Sequence, residues 1–140
     1  MPAFIMPIET TKAVMSFRAL DTFAQGYVEA MFFTETGHME DEDCEDATFD
    51  DLSPEALATI ASDCAAFQSA NRALLEEAYG REYTEEQAGR DYWFTRNGHG
   101  VGFWDRRELR EGGLGDKLSA ACRCDAVTLY MGDDGLLYLM

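Results

Sequence analysis

The sequence predicts an α+β domain: an antiparallel sheet of about four strands, formed by two hairpins, with one long helix and two other helices packed on it. Three observations lead there. Asn97-Gly98 and Asp134-Gly135, dipeptides that tolerate positive φ, each stand between runs rich in aromatic and aliphatic residues. Apolar residues recur every three or four positions over 16–33 and again over 53–79, the period of an amphipathic helix. The resulting order of helix, helix, hairpin, helix, hairpin segregates helices from strands, as α+β folds do. At 140 residues the chain is read as a single domain, 1–140, large enough to bury a core without disulfide or metal.

Residues 1–15 carry little pattern and read as a flexible leader. From Ser16, Phe17, Leu20, Ala24, Tyr27, Val28, Met31 and Phe32 form one apolar stripe, so a helix is expected to about Phe33, with Gly26 permitting a close neighbour. An acidic loop follows over 35–51, a stretch without Lys or Arg in which like charges oppose packing. Ser53-Pro54-Glu55 is a helix start: a hydroxyl cap, a residue lacking the donor that would go unpaired, and a carboxylate at the positive end. The stripe Leu57, Ile60, Ala61, Cys64, Phe67, Leu74, Leu75 and Ala78 extends this helix to Gly80, a length of about 39 Å at 1.5 Å per residue.

Thr84-x-x-Gln87 fits a capping box and predicts a single helical turn before Gly89. Asp91–Arg106 is then expected to form the central hairpin, with Tyr92 facing Phe103 and Phe94 facing Val101 across the Asn97-Gly98 turn. Leu114, Leu118, Ala121 and Cys122 mark a short third helix. Val127–Met131 and Leu136–Met140 close the chain as a second hairpin whose two apolar faces place it in a sheet or beneath helices.

Charge is the most unusual total. Against 11 Lys and Arg stand 27 Asp and Glu, a formal charge of −16 that repels phosphate and attracts basic surfaces over a Debye length. Direct nucleic-acid binding is therefore not expected. Nor is a membrane span, because no apolar run approaches the ~20 residues one needs. The first residues have no basic segment before their apolar part, so no export signal is read and Cys44, Cys64, Cys122 and Cys124 are expected as free thiols in a reducing cytosol.

Candidate chemistry is sparse. Arg96, Asn97, His99 and Asp105 bring a cation, an amide, an imidazole and a carboxylate together, but at the tip of a hairpin they would stand in water, where nothing tunes a pKa. A turn-and-surface role is expected, with ligand contact by Arg96, Asn97 and His99 as the secondary reading. Trp93 and Trp104 read as core. Asp41, Asp43 and Glu45 alternate as a calcium loop begins, yet Asp46 and Leu52 occupy its glycine and glutamate positions. Cys122 and Cys124 lack the second close pair of a zinc site. Gly98, Gly100 and Gly102 do not open a helix, so no phosphate loop is read. No catalytic residue, metal or cofactor is expected.

The segments Asp51-Leu-Ser-Pro-Glu-Ala-Leu-Ala, Asp63-Cys-Ala-Ala-Phe-Gln, Gln87–Arg106, Leu114-Gly-Asp-Lys-Leu and Leu129-Tyr-Met-Gly-Asp-Asp-Gly resemble a family of small acidic bacteriophage and prophage proteins over roughly 16–139. A motif Asp-Tyr-Trp-Phe-Thr-Arg-Asn-Gly-His-Gly-Val-Gly-Phe-Trp-Asp carries most of the likeness; Arg90 departs from it where the family often has His. The resemblance implies a phage-encoded protein in the host cytoplasm and supplies no activity. With the charge, it leads to the expectation of a non-enzymatic inhibitor that mimics DNA, as anti-CRISPR and anti-restriction proteins do, and covers the basic surface of a host DNA- or RNA-binding protein. The contact residues expected are Glu40, Asp41, Glu42, Asp43, Glu45, Asp46, Asp50 and Asp51. Two alternatives are an accessory module using the hairpin aromatics and a small enzyme or ligand-binding protein using Arg96 and His99. The oligomeric state is left open, a homodimer included.

Overall fold

Residues 16–35, 48–122 and 126–140 are described by the computed structural model of the chain. They form α1 (Thr22–Glu35), α2 (Pro54–Ala70), α3 (Arg72–Tyr79), α4 (Glu85–Arg96), α5 (Leu114–Ala121) and one hairpin, β1 (Leu129–Met131) with β2 (Leu137–Leu139), joined by several 3-10 turns. The expected sheet of about four strands is therefore corrected to a mainly helical fold in which the described residues contain one two-stranded antiparallel sheet. The leader 1–15 lies outside the described residues.

The correction centres on Asp91–Arg106. In place of a hairpin, α4 runs through Asp91 to Arg96 and ends in the Asn97-Gly98 dipeptide. Gly98 takes φ 70°, its N–H bonds to the Thr95 carbonyl at 3.3 Å, and the His99 N–H reaches back to Phe94 at 2.9 Å. This is the Schellman arrangement of a helix C-terminus, completed by packing of the His99 ring edge-on against Phe94. Asn-Gly meets that need as well as it meets a two-residue turn, because both require positive φ at glycine. The upstream residues decide between them. Ala88, Gly89, Tyr92 and Trp93 are buried at a helical spacing, and the Thr84 hydroxyl accepts the Gln87 N–H at 3.1 Å, so the capping box opens a full helix instead of a single turn.

α1 and α4 form the centre of the molecule. Gly26 beside Glu86, Glu29 paired with Arg90 at 3.5 Å, and Thr34 accepting the Trp93 indole N–H at 2.7 Å advance together along both chains, so the helices run parallel. Their approach is set by two glycines. A Cβ on Gly26 would overlap the Glu86 carbonyl, and one on Gly89 would overlap the Phe23 carbonyl, both fixed backbone. Around this crossing Phe23, Tyr27, Phe67, Tyr92, Trp93 and Phe103 make one aromatic core, with Phe67 stacked on Tyr92 at 4.3 Å and Trp93 edge-on to Tyr27 at 5.3 Å. Trp93 is thus core as expected, whereas Trp104 stands 48% exposed.

Ser53 caps α2 through its hydroxyl, which accepts the Ala56 N–H at 3.0 Å, and Pro54 occupies the first turn. The expected single helix to Gly80 breaks at Asn71, whose φ of −120° leaves the helical region. Its N–H still makes the ordinary helical bond to the Phe67 carbonyl at 3.0 Å, but its side-chain amide competes for the same oxygen at 2.9 Å, a local bond that Asn can use against regular helix. The apolar stripe survives the break: Leu57, Ile60, Cys64, Phe67, Leu75 and Ala78 are all buried. α5 matches the third helix, and it packs on the 3-10 turn Phe103–Asp105. In the terminal hairpin Leu129 and Leu137 face inward while Tyr130 and Tyr138 stack outside at 5.7 Å, so one apolar face is used rather than two. A bridge from Leu52 to Leu137 and the Ser53 N–H bond to the Leu137 carbonyl at 2.8 Å fix it beside the start of α2.

Candidate functional site

Of the acidic contact residues expected, Glu40, Asp41, Glu42, Asp43, Glu45 and Asp46 lie outside the described residues, while Asp50 and Asp51 are placed on a 3-10 turn, Phe49–Asp51. Asp50 is exposed, and the Asp51 carboxylate accepts the Thr48 N–H at 2.8 Å, so the turn is closed on itself. Phe49 stacks on Phe17 at 4.2 Å and meets Phe32 edge-on at 4.9 Å. Phe32 lies in the last turn of α1, the helix from which the acidic stretch departs. Three aromatic rings consequently bring the last turn of α1 and the Phe49–Asp51 turn together.

The same side of the fold carries further carboxylates that sequence order did not connect to the stretch. Glu55 opens α2 directly after the turn, and Asp134 accepts a hydrogen bond from the Tyr138 hydroxyl at 2.5 Å. That bond, and to a smaller extent Glu55, pushes the Tyr138 phenol up to about 12. Glu55 and Asp134 thus both lie near one half-buried ring.

Arg96, Asn97, His99 and Asp105 do not form a solvent-facing cluster. The Arg96 side chain is 9% exposed: its guanidinium bonds Asp63 at 2.7 Å and the Tyr27 hydroxyl at 3.2 Å, and lies 5.8 Å from the Tyr92 ring centre. Asn97 donates to the Trp93 carbonyl at 3.0 Å and accepts the Val127 N–H at 2.8 Å, joining the end of α4 to the terminal hairpin. His99 packs on Phe94, and Asp105 is exposed on the following turn. Arg96 and Asn97 link separate elements of the fold, so the turn-and-surface role expected for them is replaced by a structural one. The aromatics of the motif are also mostly internal: Tyr92, Trp93 and Phe103 are buried and Trp104 is on the surface.

Sequence reasoning missed a buried polar network altogether. Asp91, on α4, has no exposed surface. Arg106 holds its carboxylate from two nitrogens, Nε at 2.9 Å and Nη2 at 2.7 Å, the Gln87 amide donates at 3.1 Å, and the Tyr83 hydroxyl makes a short bond to the same group. A planar guanidinium meeting a carboxylate side-on is the strongest form of such a pair. Asp91, Gln87 and Arg106 fall at four- and fifteen-residue separations, and no local pattern links them; the only hint was a carboxylate among buried aromatics. Burial, then the Asp91 charge, holds the Tyr83 phenol far above its ordinary 10.0. Burial likewise raises Tyr27. A folded-state pKa raised in this way contributes stability that is complete below pH 10, where the unfolded phenol begins to ionise, and is lost as pH rises beyond it. Urea midpoints are thus expected to hold level from about pH 7 to 9 and fall above about pH 10; a midpoint still level at pH 11 would contradict the buried placement of these two rings.

No protein-family model, curated protein or solved structure matches this chain. No helix among the described residues is long and apolar enough to cross a membrane, and no three of their His, Cys, Asp or Glu side chains come together as a metal site. Cys64 and Cys122 are both buried, and the Cys122 thiol donates to the Leu118 carbonyl at 3.3 Å.

Proposed function

We propose that this protein is a phage-encoded, non-enzymatic acidic binder that occupies the basic, nucleic-acid-handling surface of a host protein and so acts as a DNA mimic. The observation that carries the reading is the aromatic clamp of Phe17, Phe32 and Phe49, which holds together the two ends of the stretch bearing Glu40, Asp41, Glu42, Asp43, Glu45 and Asp46. Those six carboxylates fall within 40–46 of the sequence, and Asp50 and Asp51 follow them on the Phe49–Asp51 turn, so one sign of charge is concentrated in this part of the chain. Duplex DNA presents one charge per about 1.7 Å of axis, so dense carboxylates are what a surface built for phosphates accepts.

Disposition of the cations supports the same reading. Arg96 and Arg106 turn inward to Asp63 and Asp91, and Arg81 and Arg90 pair with Glu77 and Glu86, each four residues earlier in the chain. Four of the 11 Lys and Arg are thus matched by carboxylates of the fold, two of them turned inward.

Replacing Asp41, Asp43, Glu45 and Asp46 by Asn or Gln is expected to abolish capture of a basic partner from a bacterial host lysate while leaving the thermal midpoint unchanged. The parent's capture should weaken steeply between about 50 and 200 mM salt, by orders of magnitude if several contacts are ionic. Undiminished capture by the neutralised variant, or capture by the parent that ignores salt, would sink the proposal.

A further inference from the structure

A groove of about 420 Å³ opens where α2 gives way to α3, lined by Asp21, Gln68, Arg72, Glu76, Tyr79 and Glu85, with Ala65 and Leu75 between them. Its volume falls within the range of roughly 300–1,000 Å³ typical of ligand sites. It straddles the junction of the two helices at Asn71, and the turn before α1 contributes Asp21 to its lining. There Asp21 caps α1 by accepting the Ala24 N–H at 2.8 Å and is bonded by the Gln68 amide at 3.1 Å.

Two features set this groove apart from an ordinary acidic helix surface. The first is the Tyr79 hydroxyl, whose oxygen is buried and has no hydrogen-bond partner among the described residues. A buried polar group without a partner is uncommon and asks for an explanation. The second is charge. Three carboxylates face one guanidinium across the lining, and the pair nearest the phenol reveals their effect: after burial itself, Glu85 and then Asp21 help push Tyr79 up to about 12. A field that resists a negative charge at that oxygen favours a positive one beside it.

Taking the acidic-binder reading as its basis, we infer that this groove receives an arginine side chain of the basic partner. The guanidinium would sit between Glu76, Glu85 and Asp21, its fork of N–H donors meeting their oxygens and the Tyr79 hydroxyl, while its aliphatic stem lies on Leu75 and Ala65. Arginine suits the site better than a compact ammonium, since the carboxylates come from three separate elements and a planar donor set can reach more than one of them. A partner would then make two contacts: a diffuse one to the 40–46 patch and a pocketed one here. Arg72 acts against the second as a like charge on the wall.

The test uses the full chain and an acetylated, amidated peptide of four Gly-Arg repeats, followed through the backbone amide NMR shifts, with spermidine in a parallel titration. The peptide is expected to shift the amides of Gln68, Arg72, Glu76, Tyr79 and Glu85. The E76Q/E85Q variant, with both changes isosteric and on exposed positions, should bind it about ten-fold more weakly, and Arg72→Gln should bind it about three-fold more tightly. Tyr79→Phe, which removes an unpaired polar group and should keep or raise stability, is expected to weaken binding about three-fold. Shifts confined to the 36–51 region and Asp134, or an Arg72→Gln variant that binds no better, would overturn the groove assignment. Spermidine binding the groove as tightly as the peptide would overturn assignment to a protein side chain. Lysate capture separates this idea from the one beneath it: capture lost on neutralising 41–46 but untouched in E76Q/E85Q defeats the groove alone, whereas capture indifferent to both changes defeats the acidic-binder reading.

Discussion

Gly89→Ala is expected to be among the most damaging single substitutions in the chain. On propensity alone the change would help, since alanine is favoured over glycine in a helix interior by about 1 kcal/mol. Geometry reverses the sign. The added methyl would overlap the carbonyl of Phe23, which belongs to the backbone of α1 and cannot rotate away as a side chain could. Accommodating it means separating α1 from α4, and with them the packing of Tyr27, Tyr92 and Trp93. Overpacking of this kind typically costs about 1–3 kcal/mol, and displacement of a whole helix puts the cost at the upper end, a large part of a stability of roughly 5–15 kcal/mol. Gly80→Ala is the control. Gly80 has ordinary helical angles, φ −68° and ψ −11°, and an added Cβ would meet nothing closer than 3.4 Å, so this variant should equal or slightly exceed the parent. Urea unfolding followed by circular dichroism compares the three, and a Gly89→Ala midpoint at or above the parent's would refute the close crossing.

The second large effect is expected at Arg106. Arg106→Met keeps the aliphatic bulk but strips Asp91 of the guanidinium that faces it, leaving a carboxylate with no exposed surface and only Tyr83 and Gln87 to bond it. Removing one member of a buried pair typically costs about 3–5 kcal/mol, because the remaining charge is stranded away from water. Asp91→Leu should be comparably harmful, since it strands a partly buried guanidinium and leaves the Tyr83 hydroxyl only its long 3.4 Å bond to the Gln87 carbonyl. The double variant is the most informative of the three. With both charges gone the core has no stranded ion, so Asp91→Leu/Arg106→Met is expected to recover a clear part of the loss, with a deficit of about 1–2 kcal/mol for the bonds that Tyr83 and Gln87 lose. Strict additivity of the two single effects would argue that Asp91 and Arg106 do not act as a pair.

Legibility of the fold followed the range of the interactions involved. Ser53-Pro54 starting a helix, the apolar stripe through Phe67 and Ala78, the short helix at Leu114 and the turn at Asp134-Gly135 rest on contacts within a few residues, and each is present. The large error was one of competing local signals. Tyr92-Trp93-Phe94 before Asn97-Gly98 satisfies strand propensity and a turn signal together, yet a helix ending in a Schellman cap satisfies the dipeptide equally. What selects the helix is tertiary: Gly89 and Gly26 let two backbones approach, and Asp91 finds Arg106. The break at Asn71 was readable in principle, since Asn is a weak helix residue whose amide competes for backbone carbonyls, but an unbroken apolar stripe outweighed it.

For the site, composition located the acidic stretch and marked its sign. It could not show that Phe32 and Phe49 meet, nor that Glu55 and Asp134 both lie near one ring, because those neighbours are set by the path of the chain. The Tyr79 groove was invisible for the same reason, its lining being drawn from α2, α3, the turn at Asp21 and the start of α4. Arg96 was the reverse case: distinctive in sequence, it proved to be consumed by Asp63 and Tyr27.

The meeting of Phe32 and Phe49 also bears on how this protein can change over generations. Because the rings close the base of the 36–47 stretch, additions or losses of residues there need not be transmitted to α1 or α2. Substitutions that alter the sequence between the two rings can therefore accumulate without renegotiating the packing of α1 against α2.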